Sequence, residues 1–362
     1  MDVLLVTGEQ TAAALMAMTL QRLGVPAASL SNWQTGIRTD SSHGRARIEA
    51  VDVAEIRKQL DAGRIAVVAG WTGTTASGDV ATFGRGGSDI TAVALAAALN
   101  VTDHHGACEI YTDVAGVFTA DPQVVPDARR HDQISYAAMI ELADRGAKVL
   151  HPRAAMIGQR YNVPIHVRDS FNHAPGSMLR ANLPRTGRVV GCALLSDLAR
   201  VRLVGVNDPR AVACGLREAF AATNIQAIDL SADSAPGTGG CPSYVKFTTR
   251  STELHDAMAI VDWIGAEHPG CEKQVELGLC QVAVVADGPM GGRHDVQAAC
   301  ERAIAKSISQ TSLNAPSCEV TDTTLVWTLP SEHGRAALIA VHAACDLALI
   351  SDMPASSKVA FA

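Results

Sequence analysis

At 362 residues the chain exceeds what one ordinary hydrophobic core supports, so two or three domains are expected. Hydrophobic residues make up 48% and charged residues 19%, which supplies ample surface to bury and argues against large-scale disorder. A net charge of −7 offers no basic excess to a phosphate backbone, and 4% aromatic residues give little stacking surface, so no nucleic-acid partner is expected.

The nine cysteines are an odd number with no C-x-x-C pair, which argues against a zinc cluster or a disulfide framework and for a reducing, cytoplasmic compartment. No protein-bound metal is expected. No apolar run reads as the ~20 residues needed to cross a bilayer, and "MDVLLVTGEQ" lacks a basic signal-peptide n-region, so no membrane association is expected.

In chain order, "DVLLVTG" reads as a buried strand ending at Gly8, followed by the helix "TAAALMAMTLQRLG". "PAASLS" is a short strand, "VAEIRKQLDAGR" a polar-faced helix, and "IAVVAGW" a buried strand. "DITAVALAAALN" is a helix apolar nearly all round, hence buried. "CEIYTDV", "SYAAMIELADRGA" and "VPIHVRDS" continue the alternation as strand, helix and strand. The pattern predicts an α/β domain over residues 1–180, a mostly parallel sheet with helices on both faces and ligands at the carboxyl ends of the strands. "NHAPGSMLRANLPRTGR" reads as an exit turn and linker, with the linker proper at 181–193. Beyond it come two copies of a βαββα unit, at 194–270 and 271–350, and a tail at 351–362. Eight of the nine cysteines follow residue 190, so thiol chemistry does not map onto the α/β part.

Three segments could carry chemistry. In "FGRGGSD" (83–89) the glycines let backbone approach a ligand, and Ser88 or Asp89 could cap the following helix. Amides at that helix start attract anions, Arg85 offers a planar fork to a carboxylate, and Asp89 could hold an ammonium. That combination suits an amino acid, but a solvated, capped turn accounts for it equally well. In "VTGEQ", Glu9 is either a carboxylate favoured by a helix N-terminus or a ligand for an amino group. "YTDVAGVFTADPQVVPDARR" (111–130) is a turn-rich stretch after a strand, where a base and ribose could rest, and "GAKVLHP" brings Lys148 within reach of phosphates. His151 reads as structural.

Together "VTGEQ", "NWQTGIRTD", "FGRGGSD", "EIYTDVAGVFTADP", "GAKVLHPRA" and "NHAPGSML" resemble aspartate kinase, a member of the amino acid kinase family, in the family's order. The C-terminal repeats resemble its paired ACT domains. The resemblance implies transfer of the γ-phosphoryl of ATP to the β-carboxylate of L-aspartate, with Mg2+ carried on the nucleotide phosphates. It implies that Glu9 and Asp89 hold the amino group, that Arg85 with the amides of Gly86, Gly87 and Ser88 holds the α-carboxylate, and that Thr39 also meets the substrate. Thr112, Asp113, Phe118, Thr119, Asp121 and Pro122 line the nucleotide and Lys148 reaches its phosphates, which makes Arg85, Asp89 and Lys148 the catalytic set. A homodimer and an amino-acid effector at the ACT-like repeats are implied as well.

The sequence departs from the family at several points. The Lys-[FY]-Gly-Gly loop that opens the family's sheet is absent from these 362 residues, so the domain is expected to be incomplete at its N-terminus. Gln123 stands where the family has an arginine, Ala115 where Asp or Pro is common, and "VNDPRAV" lacks the usual Pro-Gly. A catalytically weak paralogue that binds an amino acid is therefore the alternative to a working kinase.

Overall fold

The computed structural model describes residues 1–104, 106–233, 243–266, 270–290, 294–308 and 318–346. The predicted tail at 351–362 lies outside them. The first elements are α1 (Asp2–Arg22), β1 (Ala27–Leu30), β2 (Ile37–Thr39), β3 (Ile48–Val51), α2 (Ala54–Asp61), β4 (Ile65–Val68), β5 (Thr72–Thr75), β6 (Val80–Thr82) and α3 (Gly87–Ala98). They continue with β7 (Cys108–Thr112), β8 (Gln133–Ser135), α4 (Tyr136–Asp144), α5 (Pro152–Tyr161), β9 (Ile165–Asp169) and β10 (Ser177–Arg180). The C-terminal half runs β11 (Val189–Val204), α6 (Pro209–Thr223), β12 (Ile228–Asp233), β13 (Tyr244–Arg250), α7 (Leu254–Gly265), β14 (Glu272–Ala286), α8 (His294–Ile308), β15 (Cys318–Val320), β16 (Thr324–Pro330) and α9 (Gly334–Ala344). Both βαββα repeats are present in that order.

The opening strand is not. "DVLLVTG" is the first two turns of α1, and Gly8 lies inside the helix. A short apolar run does not distinguish strand from helix by itself. What decides is the continuation: Val6, Ala13 and Ala17 recur at helical spacing and are the buried apolar positions. This 21-residue helix is also long and apolar enough, by length and composition, to cross a bilayer, against the sequence expectation. In the fold it packs along β1, β4 and β6. The stretch read as an exit turn also contains β10, which pairs in parallel with β8.

The chain forms two compact units, each combining part of the first 180 residues with one C-terminal repeat. Unit 1 comprises Met1–Ile110, Arg153–Ile165 and Asp197–Leu279. Its sheets are not the single mostly parallel layer expected. β1 and β4 form a parallel pair, and a separate sheet runs β3-β2-β5-β6. In that sheet only β2–β5 is parallel, because β2–β3 and β5–β6 are antiparallel pairs of consecutive strands. The first repeat places β13 between β12 and the second half of β11, all antiparallel. Its core joins Val201, Leu203, Leu216, Phe220, Phe247 and Val261.

Polar contacts tie that repeat to the β2–β3 connection. Asn224, the left-handed C-cap of α6, donates from Nδ2 to Asp40 Oδ2 (3.4 Å) and to the Arg45 carbonyl (3.2 Å). Arg45 pairs with Asp256. On the other side the buried Asp2 carboxylate accepts from Thr82 N (2.8 Å) and Gly44 N (3.0 Å) and meets His43 Nδ1 at 3.3 Å.

Unit 2 comprises Tyr111–Pro152, His166–Ser196 and Cys280–Ala362. It holds the sheet β7-β9-β10-β8 and, from the second repeat, β14-β16-β15. Two glycines are fixed by crowding. Gly116 (φ 128) would drive a Cβ onto Ser177 Oγ, and Gly146 (φ 110) would drive one onto the Leu194 carbonyl.

Burial raises the Asp2 pKa, but the two amides and His43 outweigh it and hold it below 3.8; Asp40 is lowered likewise, by the amides of Arg47 and Ser42 and by Asn224. For both, ionisation favours the folded chain. The contribution is complete above about 3.8 and is lost as pH falls through the lower folded value. Asp2→Asn is expected to destabilise the protein at pH 7 by about 1–3 kcal/mol. In urea melts from pH 7 to pH 3 the variant should lose less stability on acidification than the parent. Equal midpoints at pH 7 would show that the carboxylate holds nothing.

Candidate functional site

In unit 1 the Phe83–Asp89 turn is built by backbone constraint. Gly84 (φ 82) and Gly86 (φ 77) are both left-handed, and Gly86 is the N-cap of α3. The N-cap is thus a glycine, and Ser88 and Asp89 lie inside the first turn of α3 rather than at the cap position. Trp71, itself at φ 71, donates its indole N–H to the Gly84 carbonyl. Its backbone N–H donates to Thr91 Oγ1 (2.9 Å), one turn into α3. A Cβ on Gly87 would strike Trp71 Cδ1 and the Phe83 side chain. Arg153 closes the far side by donating to the carbonyls of Phe83 (3.4 Å) and Ala46 (2.7 Å).

The result is a rigid turn with Phe83 buried underneath and Arg85 and Ser88 exposed above. Asp89 is half-buried. Burial, with the Asp89 and Glu109 carboxylates nearby, pushes the Cys108 thiol up to about 12, so it stays protonated at neutral pH. Glu9 is not at a helix start as its sequence position suggested. It lies half-buried in the interior of α1, and the acidic residue in the first turn is Asp2. Thr39 is buried at the end of β2, and no partner meets its hydroxyl among the described residues. Glu9, Thr39, Arg85, Gly86, Gly87, Ser88 and Asp89 thus all belong to unit 1.

The other set belongs to unit 2. Thr112 ends β7; its hydroxyl donates to Asp113 Oδ1 (3.2 Å), and its carbonyl accepts from Ser170 N (2.8 Å). Phe118 is half-buried and bridges to Arg130. Asp121 is exposed and accepts from Gln123 N (2.9 Å), which closes the turn that contains Pro122. Thr119 is 2% exposed, so it supports this segment from below rather than lining its surface. Lys148 is exposed on the short connection between α4 and α5, two residues after the constrained Gly146. His131 donates from Nε2 to the Val190 carbonyl (2.8 Å), and burial above all lowers its pKa and keeps it neutral. Among the described residues no group of His, Cys, Asp and Glu could hold a metal ion.

Sequence reasoning missed Asp2, Trp71 and Arg153. "GAKVLHPRA" did contain Arg153, but nothing local says that a guanidinium in one segment braces a carbonyl 70 residues away.

Residues 1–169 match the amino acid kinase family. The chain is 38% identical over 348 residues to an aspartokinase of Thermus thermophilus, covering 96% of this chain and 83% of that protein. It is 35% identical over 350 residues to an aspartate kinase of Pseudomonas putida, with 96% and 82% covered. The crystal structure of E. coli aspartokinase III in complex with aspartate and ADP (R-state) superposes with a TM-score of 0.76 at 25% identity, covering 95% of this chain and 75% of that one.

Gly87→Ala is expected to displace Trp71 from the Gly84 carbonyl. The measurement is tryptophan fluorescence with thermal unfolding, where a shifted emission maximum and a lowered midpoint are expected. An unchanged spectrum and midpoint would show that the turn is not held by this packing.

Proposed function

This chain belongs to the aspartokinases of the amino acid kinase family, and from that premise we propose how its residues perform the transfer of the ATP γ-phosphoryl group to L-aspartate. The observation that carries the reading is the Phe83–Asp89 turn. It displays Arg85 beside the left-handed Gly86 at the start of α3. The helix N-terminus and the guanidinium both favour an anion, and here it is the α-carboxylate of aspartate. Glu9 and Asp89 hold the ammonium, and Thr39 contributes its unpartnered hydroxyl.

In unit 2, Thr112, Asp113, Phe118, Asp121 and Pro122 form the nucleotide surface, with Thr119 as its brace, and Lys148 meets the phosphates. Mg2+ enters on the nucleotide. Nucleotide binding is supported by the ADP in the related E. coli complex. The β-carboxylate oxygen of aspartate attacks the γ-phosphorus. The bond from that phosphorus to the β,γ-bridging oxygen breaks, and ADP leaves. With a side-chain pKa of about 3.9 the nucleophile is already ionised at neutral pH, so no general base is required. Alignment and neutralisation of phosphate charge carry the rate. A cytoplasmic location, pairing of the ACT-like repeats in a homodimer and an amino-acid effector at those repeats complete the reading.

Arg85→Ala is expected to weaken L-aspartate binding roughly 10- to 100-fold, the loss of a charged hydrogen bond of ~1.5–3 kcal/mol. Calorimetry that returned the same affinity for variant and parent would remove Arg85 from the substrate. Lys148→Ala should raise the KM for ATP in a hydroxamate-coupled assay and leave aspartate affinity unchanged; the reverse pattern would reassign it.

A further inference from the structure

The second C-terminal repeat and the segment assigned above to the nucleotide share one hydrophobic core. Ala120 and Val125 pack in a single cluster with Val189, Cys192, Ala337 and Val341, and Val124 and Ala128 lie against it. One polar contact is buried there. His342 of α9, 2% exposed, places Nε2 at 2.9 Å from Thr119 Oγ1.

Thr119 is held at every hydrogen-bonding atom. Its N–H donates to the Arg129 carbonyl (2.8 Å), its carbonyl accepts from Cys192 N (2.7 Å), and its hydroxyl oxygen accepts from Arg129 N (3.0 Å). The hydroxyl proton is then directed to His342. Burial lowers the His342 pKa, against the opposing pull of Asp127, so the imidazole stays neutral and Nε2 can accept. A buried pair of this kind fixes both partners, because removing one leaves the other unsatisfied. The half-buried Phe118 directly precedes Thr119, and the exposed Asp121 lies two residues after it.

We propose that His342 is a positioning residue for nucleotide binding: through Thr119 it sets Phe118 and Asp121, and so couples the packing of the second C-terminal repeat to the affinity for a nucleoside triphosphate. This rests on the nucleotide role given above to residues 112–122. The first repeat directs its polar contacts elsewhere, from Asn224 and Asp256 to the connection between β2 and β3. The His342 route therefore acts on nucleotide and not on aspartate.

The test uses the full chain with His342→Phe, Thr119→Val and the double variant, measured by steady-state kinetics and by calorimetry with ADP. Each single variant is expected to raise the KM for ATP and the Kd for ADP about five- to twentyfold, the effect of one buried hydrogen bond, while the KM for aspartate moves less than twofold. The double variant should be no worse than the singles. His342→Gln and Thr119→Ser, which keep a hydrogen-bonding group in place, should recover most of the loss. They also serve as the folded comparison if His342→Phe does not accumulate. Equal increases in both KM values, or a lowered melting temperature with unchanged ADP affinity, would reduce His342 to a core residue and overturn the proposal. If the unaltered protein failed to bind ADP, the nucleotide reading itself would fall. Parent binding with an unaffected His342→Phe variant would sink only the coupling.

Discussion

The buried carboxylate of Asp2 is the interaction on which the Phe83–Asp89 turn of unit 1 depends. One oxygen accepts from the amides of Gly44 and Thr82, residues about 40 and 80 positions away, and so joins the start of α1 to the β2–β3 connection and to β6. Thr82 leads directly into the Phe83–Asp89 turn, and Gly44 O lies 3.1 Å from where a Cβ on Gly84 would sit. A carboxylate taken out of water costs free energy unless it is well hydrogen-bonded, and here two amides and His43 offset that cost. The Arg153 guanidinium closes the same connection from the other side at the Ala46 carbonyl. Loops are ordinarily the mobile part of a fold. This one is clamped between an anion and a cation, which preorganises the turn above it.

The segment around Thr119 in unit 2 is built by a different device. There the backbone itself is packed, with Gly116 against Ser177, Gly146 against Leu194 and Gly191 against the Thr119 carbonyl. Ser177 is buried; its hydroxyl accepts from Val117 N (2.8 Å) and donates to the His131 carbonyl. The first part of β11, which packs in one core with the second repeat, thus lies on the chain that carries Phe118 and Asp121. Close backbone approach has little compliance, so a shift of this strand cannot be absorbed by side-chain rotation.

How much was readable in the sequence follows from the range of the forces involved. The helices α3, α4, α6 and α9 and the strands β4, β7, β9 and β16 came from local periodicity, which is a short-range property. The strand expected at "DVLLVTG" failed because seven apolar residues suit a buried strand and the first turns of a helix alike. β2, β3, β5 and β6 were not recognised, since strands of three or four residues are too short to show a periodic signal. The glycine turn at 83–89 was legible because left-handed backbone demands glycine. Its braces were not, because Asp2, Trp71 and Arg153 come from three distant segments. Thr119 shows the same limit. The resemblance implied a residue lining the nucleotide, and only the tertiary fold shows it buried under a histidine more than 200 positions later.

Phosphoryl transfer to a carboxylate asks little of acid–base chemistry, and the titratable groups of this protein fit that demand. His131 and His342 are buried, held neutral, and hydrogen-bonded to a carbonyl and a hydroxyl, and Cys108 is kept protonated beside Asp89. None is poised to exchange a proton near neutral pH. Asp2 and Asp40, in contrast, are held ionised as structural anions. What the fold invests in is position, through left-handed glycines, carbonyls capped by Trp71 and Arg153, and a threonine held at all of its polar atoms. For a reaction whose nucleophile is already charged, geometry and fixed positive charge are the terms a protein can supply. A substitution that leaves every charged group in place but loosens one of these backbone clamps should therefore slow the chemistry as effectively as removing a cation.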